Sequence, residues 1–118
     1  MKINNKNFGS SGEKLAADYL QKKGYEIIKL NYRFHHGEID IIAKVKNILV
    51  FVEVKTRLSD KYGSPITAIS KGKLNQIHKI AEAYIAVNKI KDTDCRIDFI
   101  GISYKNGEPE IEQIENIG

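Results

Sequence analysis

Two acids and a lysine stand at strand-like spacing in one stretch of this chain. Asp40 lies within Gly37-Glu38-Ile39-Asp40-Ile41-Ile42-Ala43, while Glu53 and Lys55 close Ile48-Leu49-Val50-Phe51-Val52-Glu53-Val54-Lys55. Both runs are rich in β-branched residues and alternate as strands do. With Lys46-Asn47 as a two-residue turn, Ile39 is expected opposite Val54, Ile41 opposite Val52 and Ala43 opposite Val50, which makes one face apolar. On the other face Ile42 meets Phe51, Glu38 meets Lys55, and Asp40 meets Glu53. An odd-length turn would slip the register by one and break the apolar face. Direct cross-strand neighbours have Cβ atoms about 5 Å apart. Two carboxylates that close repel unless a shared proton, a basic partner or a bound divalent cation compensates them. Polar residues on a strand also simply face water, with Lys55 as neutraliser. Against that, Ile42, Leu49 and Phe51 share the face.

The elements that would position these groups follow from periodicity. Ser10-Ser11-Gly12-Glu13 reads as a helix start, with Ser10 and Glu13 spaced as a capping box. The helix runs to about Lys23 with Leu15, Ala16, Tyr19 and Leu20 as its apolar stripe, and Gly24 is its stop. Tyr25 to Leu30 is β-like, and Asn31 to His36 is an irregular polar stretch. After the hairpin, Leu58 to Pro65 is a surface loop. A second helix spans Ser70 to Val87, with Leu74, Ile77, Ala81, Tyr84 and Ile85 on one face. Arg96 to Tyr104 is a strand, Lys105-Asn106-Gly107 a turn, and Glu110 to Ile117 an edge strand. The order α-β-β-β-α-β-β, with a crossover through the second helix, predicts an α/β sandwich around a central mixed sheet.

Composition narrows the function classes. The chain has 118 residues, 42% hydrophobic and 29% charged, the size of a single domain. Nineteen Lys and Arg against fifteen Asp and Glu leave a net charge of +4, compatible with a polyanionic partner and equally with plain solubility. One cysteine, Cys95, excludes an internal disulfide framework and a cysteine zinc cage. No run approaches a membrane span, and the N-terminus lacks the apolar segment of a secretory signal, so the expected compartment is the cytoplasm.

The hairpin residues, continuing through Thr56 and Arg57, resemble the YraN family of uncharacterised bacterial proteins. That family is similar to archaeal Holliday junction resolvases and to the PD-(D/E)xK nuclease superfamily. The resemblance covers about residues 9 to 104. It includes Gly12-Glu13-Lys14 with Ala17 and Tyr19-Leu20; Gly63-Ser64-Pro65 through Ala68, Lys73, Ala81 and Tyr84; and Arg96-Ile97-Asp98. It implies a restriction-endonuclease-like three-layer sandwich. It also implies a metal-dependent nuclease acting on DNA, with branched or otherwise structured DNA as the substrate class. Carried onto matching positions, the metal ligands become Asp40, Glu53, the Val54 carbonyl and Glu13. The ion would be Mg²⁺, with Mn²⁺ as a substitute, and Lys55 the catalytic lysine. Ile39 stands where the superfamily's nominal proline would be. The alternative is a nuclease-fold module that binds nucleic acid without cutting it.

The remaining candidates carry two readings each. Glu13 is a capping residue, a site residue, or both. Glu38 is expected as an ion-pair partner of Lys55 or as a group supporting the ligands, rather than as a direct ligand. Arg33, Arg57, Lys71 and Lys73 are candidate phosphate contacts or solvated surface charges. His36 beside Glu38 and Asp40 makes zinc conceivable, but the setting is carboxylate-rich, and His78 is a boundary residue. Asp98 is expected to pair with Arg96 and serve structure, and Cys95 to be inert. A resolvase cuts two strands symmetrically, which would require a homodimer; Ile111, Ile114 and Ile117 are the apolar residues available for one.

Overall fold

The computed structural model describes residues 11–57 and 69–118, and its elements follow the expected order. Helix α1 (Ser11–Lys22) ends where Gly24 takes φ +93. There the Tyr25 amide donates to the Leu20 carbonyl and the Gly24 amide to the Gln21 carbonyl, the Schellman arrangement that satisfies the helix's last carbonyls. Helix α2 (Lys71–Val87) starts at Ser70, whose hydroxyl accepts from the Lys73 amide at 3.0 Å. Ser10, half of the expected capping box, and the segment Gly63 to Ala68 lie outside the described residues.

The strands β1 (Glu26–Phe34), β2 (Gly37–Val45), β3 (Ile48–Arg57), β4 (Asp94–Lys105) and β5 (Glu108–Ile114) form one sheet in that spatial order. Only β3 and β4 are parallel, joined by the crossover through α2; the other neighbours are antiparallel. The stretch Asn31 to Phe34, expected to be irregular, is strand, because β2 supplies its hydrogen-bond partners across to the Phe34–Gly37 rung. The last strand stops at Ile114 rather than Ile117. Ile117 instead donates its amide to the Ile97 carbonyl at 2.8 Å and packs on the α2 side of the sheet.

Each face of the sheet is covered by a helix, completing the three layers of the restriction-endonuclease-like sandwich. Ala16, Ala17 and Leu20 of α1 pack on Ile41, Ala43, Val50, Val52, Val54, Ile100 and Ile102. Ile77, Ile80, Ala81 and Tyr84 of α2 pack on Ile39, Ile42, Leu49, Phe51 and Ile97. Rings of Tyr32 and Phe51 meet Tyr84 edge-on, with centroids 5.1 and 6.0 Å away. Among the described residues no helix is long and apolar enough to cross a membrane.

The hairpin register is the one its alternation demands: Ile41 pairs with Val52, Ile42 with Phe51 and Ala43 with Val50. It stops there. Ile39 does not face Val54 but belongs to the α2 core, as does its partner Tyr32, whereas Ile41 and its partner Leu30 belong to the α1 side. Both strands therefore change face between these two rungs. Asn31, between Leu30 and Tyr32, absorbs the turn by adopting φ +51, a left-handed conformation that asparagine tolerates better than most residues.

The α1 side depends on a close approach. A Cβ added at Gly12 would overlap the Thr56 hydroxyl and lie 3.3 Å from the Thr56 Cβ. Gly12→Ala is therefore expected to lift the first turn of α1 off β3 and cost about 1–3 kcal/mol. Urea denaturation checks this; an unchanged midpoint would contradict the contact.

Candidate functional site

The change of face occurs at Asp40, and its consequence is chemical. With no ladder rung between β2 and β3 beyond Ile41–Val52, the Asp40 carboxylate takes the place of a backbone acceptor. Its Oδ2 receives the Val54 amide proton at 2.8 Å. Asp40 and Glu53 do meet, sharing a hydrogen bond, but as a side chain inserted between parting strands rather than as ladder partners.

Glu53 faces the α2 side and is 2% exposed. Its buried charge is answered by Lys73, whose Nζ lies 3.4 Å from Glu53 Oε2, while the same ammonium reaches Gln76 Oε1 at 3.4 Å. Burial first, then the hydrogen bond and negative charge of Glu53, push the Asp40 carboxyl up to about 7; the Val54 amide and Glu13 act in the opposite direction. Two compensations thus act at once: Asp40 holds its proton more tightly than an ordinary carboxyl, and Glu53 meets a cation from α2.

Glu13 reaches the same point from the first turn of α1, and Glu38 arrives from β2. One carboxylate oxygen from each of Glu13, Glu38 and Asp40 lies within 4.8 Å of the others. Glu38, expected opposite Lys55, instead has Arg33 as its ion-pair partner at 4.0 Å, because Arg33 and Glu38 share a rung of β1 and β2. Glu38 stands closer to the other acids than the supporting place the sequence suggested, and its position two residues before Asp40 was the available signal. An all-oxygen carboxylate set of this kind suits a hard divalent cation.

The other expected site residues have different placements. Lys55 is half-buried and, by alternation, lies on the Glu53 side of β3. Arg57 ends β3, half-buried, and Lys71 opens α2, exposed. Arg33 is 80% exposed at its side chain despite its contact with Glu38. Lys73 faces inward to Glu53 rather than standing as a solvated surface charge. Asp98 is fully buried but belongs to another network, with Arg96, Gln113 and the Asn116 amide. His78 and Cys95 are exposed, and the Cys95 thiol donates to the Thr93 carbonyl.

Glu13 at the start of α1, Glu38 at the start of β2, the end of β3 and the start of α2 all occupy one end of the sandwich. In open α/β sheets ligands bind at such carboxyl ends of parallel strands. Fold and site together define a restriction-endonuclease-like α/β domain with an acidic cluster at the parting of its central hairpin.

Within that class the chain belongs to the uncharacterised protein family UPF0102, whose model matches residues 12–102, the YraN-like family its motifs resemble. It is 45% identical over 116 residues to a UPF0102 protein of Caldanaerobacter subterraneus subsp. tengcongensis, covering 98% of this chain and 95% of that one. A UPF0102 protein of Geobacter metallireducens is 43% identical with the same coverage. One from Chlorobium chlorochromatii is 50% identical over 80% of this chain and 73% of its own.

Proposed function

We propose that this protein is a metal-dependent nuclease that hydrolyses phosphodiester bonds in DNA. The observation that carries the reading is the convergence of Asp40 with Glu13 and Glu38 beside buried Glu53, at a point where the sheet opens. A module that only bound nucleic acid would gain nothing from acids that repel phosphate.

Asp40, Glu13 and Glu38 would hold Mg²⁺ or Mn²⁺ through their converging oxygens, with Glu53 and the Val54 carbonyl, the ligands the resemblance implies, beside them. When bound, such a cation polarises a phosphoryl oxygen and lowers the pKa of a coordinated water. The Val54 amide fixes the Asp40 carboxylate through its hydrogen bond, so the group is oriented before any ligand arrives. Lys55, on the Glu53 side of β3, would neutralise charge developing on the phosphoryl oxygens. Arg33, Arg57, Lys71 and Lys73 would surround the strand with positive charge. Structured rather than sequence-specific recognition follows from size, since a small sandwich has few elements to spare for base contacts. Symmetric cutting of a junction would additionally need a homodimer.

The test is cleavage of branched, flapped and linear DNA with Mg²⁺ or Mn²⁺ by wild type, Asp40→Ala and Glu53→Ala. Losses of at least about a hundredfold are expected in both variants. Activity surviving both substitutions would refute the assignment.

A further inference from the structure

Beside the acidic cluster lies a groove of about 360 Å³, of ligand-pocket size. It is bounded by the β1–β2 turn and the first turns of α2. Phe34 and His35 meet edge-to-face on one wall with centroids 4.3 Å apart, and His36 stands beside them. Asn75, Gln76 and Lys79 form the other wall. Two glycines shape the space: a Cβ at Gly37 would run into Ile80 and Gln76, whereas among the described residues one at Gly72 would meet only the Ser70 hydroxyl at 3.8 Å.

The groove and the acids share walls. Gly37 lines the groove and Glu38, the next residue, belongs to the acidic group; Gln76 lines it and accepts from Lys73, which holds Glu53. Among the described residues no acid lines the groove, and α2 carries none before Glu82. The exposed acids Glu108, Glu110 and Glu112 are gathered instead on β5, at the far edge of the sheet. On α2 the three lysines Lys71, Lys73 and Lys79 outnumber the single acid Glu82, which favours a polyanion along that helix over one along β5.

We propose that this groove receives an unpaired nucleotide of the DNA strand, so that the substrate class is DNA with single-stranded character next to the cut. This rests on the nuclease reading of the neighbouring acids. Aromatic rings offer a platform for the face of a base, the two amides suit its hydrogen-bonding edge, and Lys79 suits a phosphate. A base inside a duplex has both faces covered by its neighbours and cannot use such a platform.

The test is fluorescence anisotropy in EDTA with labelled single-stranded, blunt duplex and flapped DNA, using wild type, Gly72→Leu and His35→Asn. Leucine at Gly72 adds an apolar side chain at a position lining the groove and raises helix propensity, so the variant should fold. Asparagine tolerates the φ of +56 at His35 while removing the ring. Wild type is expected to prefer single-stranded and flapped DNA, and each variant to lose about five- to a hundredfold of that affinity with blunt-duplex binding unchanged. Equal wild-type affinity for all three DNAs, or variants that keep the preference, would overturn the proposal. The cleavage assay separates it from the reading beneath: a nuclease that favours blunt duplex refutes only the groove. A preference for unpaired DNA without cleavage refutes only the nuclease.

Discussion

Asp40→Asn is expected to make the metal-free protein more stable at pH 8 and to abolish its response to Mn²⁺. The carboxyl is pushed up to about 7 from an ordinary value of 3.8, by burial first and by Glu53 second. A raised acid pKa means that the folded state holds its proton more tightly than the unfolded chain. The favourable contribution is therefore complete below about pH 4 and is lost as pH rises toward 7. Each unit of difference is worth about 1.4 kcal/mol. The full cost of ionisation reaches about 4 kcal/mol. Asparagine keeps an oxygen for the Val54 amide and carries no titrating proton. Its stability should match wild type near pH 4.5 and exceed it by about 1–4 kcal/mol at pH 8. Urea denaturation across that range in EDTA checks this, and parallel profiles for the two proteins would rule it out. Added Mn²⁺ at pH 8 should raise the wild-type melting temperature by mass action and leave the variant's unmoved.

Asp98→Ala should be the most damaging single truncation outside the acidic cluster. Asp98 is fully buried, and its Oδ1 accepts from Arg96 Nε at 2.9 Å and the Asn116 amide at 3.1 Å, while Oδ2 accepts from Gln113 at 3.0 Å. Arg96 also donates to the Tyr25 hydroxyl at 2.7 Å and approaches Glu115 at 3.6 Å. These contacts tie β4, β5 and the C-terminal residues to the segment just after α1. Removing the carboxylate leaves a guanidinium only 16% exposed without its main partner and the Asn116 amide without its acceptor, while Gln113 keeps only the Tyr25 hydroxyl. The expected cost is about 3–5 kcal/mol, a large part of a domain's stability. Thermal denaturation should show the midpoint falling by about 10 °C or more. A variant melting within a few degrees of wild type would contradict the network.

The alternation of Ile41, Ala43, Val50 and Val52 was sufficient to determine the hairpin register, because any slip would have turned those side chains to the wrong face. Helix limits were legible for a similar reason: Gly24 and Ser70 have few substitutes at a helix end. The pairing of Asp98 with Arg96 was readable from their spacing on one strand. Its extension to Gln113, Tyr25 and Asn116 was not, since those residues come together only when β5 and the turn after α1 dock.

What stayed hidden is the departure from a straight ladder. Ile39-Asp40-Ile41 reads identically whether the strand runs on or changes face, since both isoleucines are apolar. Only the tertiary structure decides: α2 offers Ile39 and Tyr32 a core to enter, and the left-handed turn at Asn31 lets β1 follow β2. That same shift sends Glu38 toward Glu13 rather than Lys55. The sequence by itself determined that acids would collect on one hairpin of an α/β sandwich, because periodicity and register are local properties. Which acids meet, how Asp40 is held by the Val54 amide, and why its proton is retained to about 7 were decided by packing. Burial and the approach of Glu13 and Lys73 from the two helices exist only once both layers have closed on the sheet.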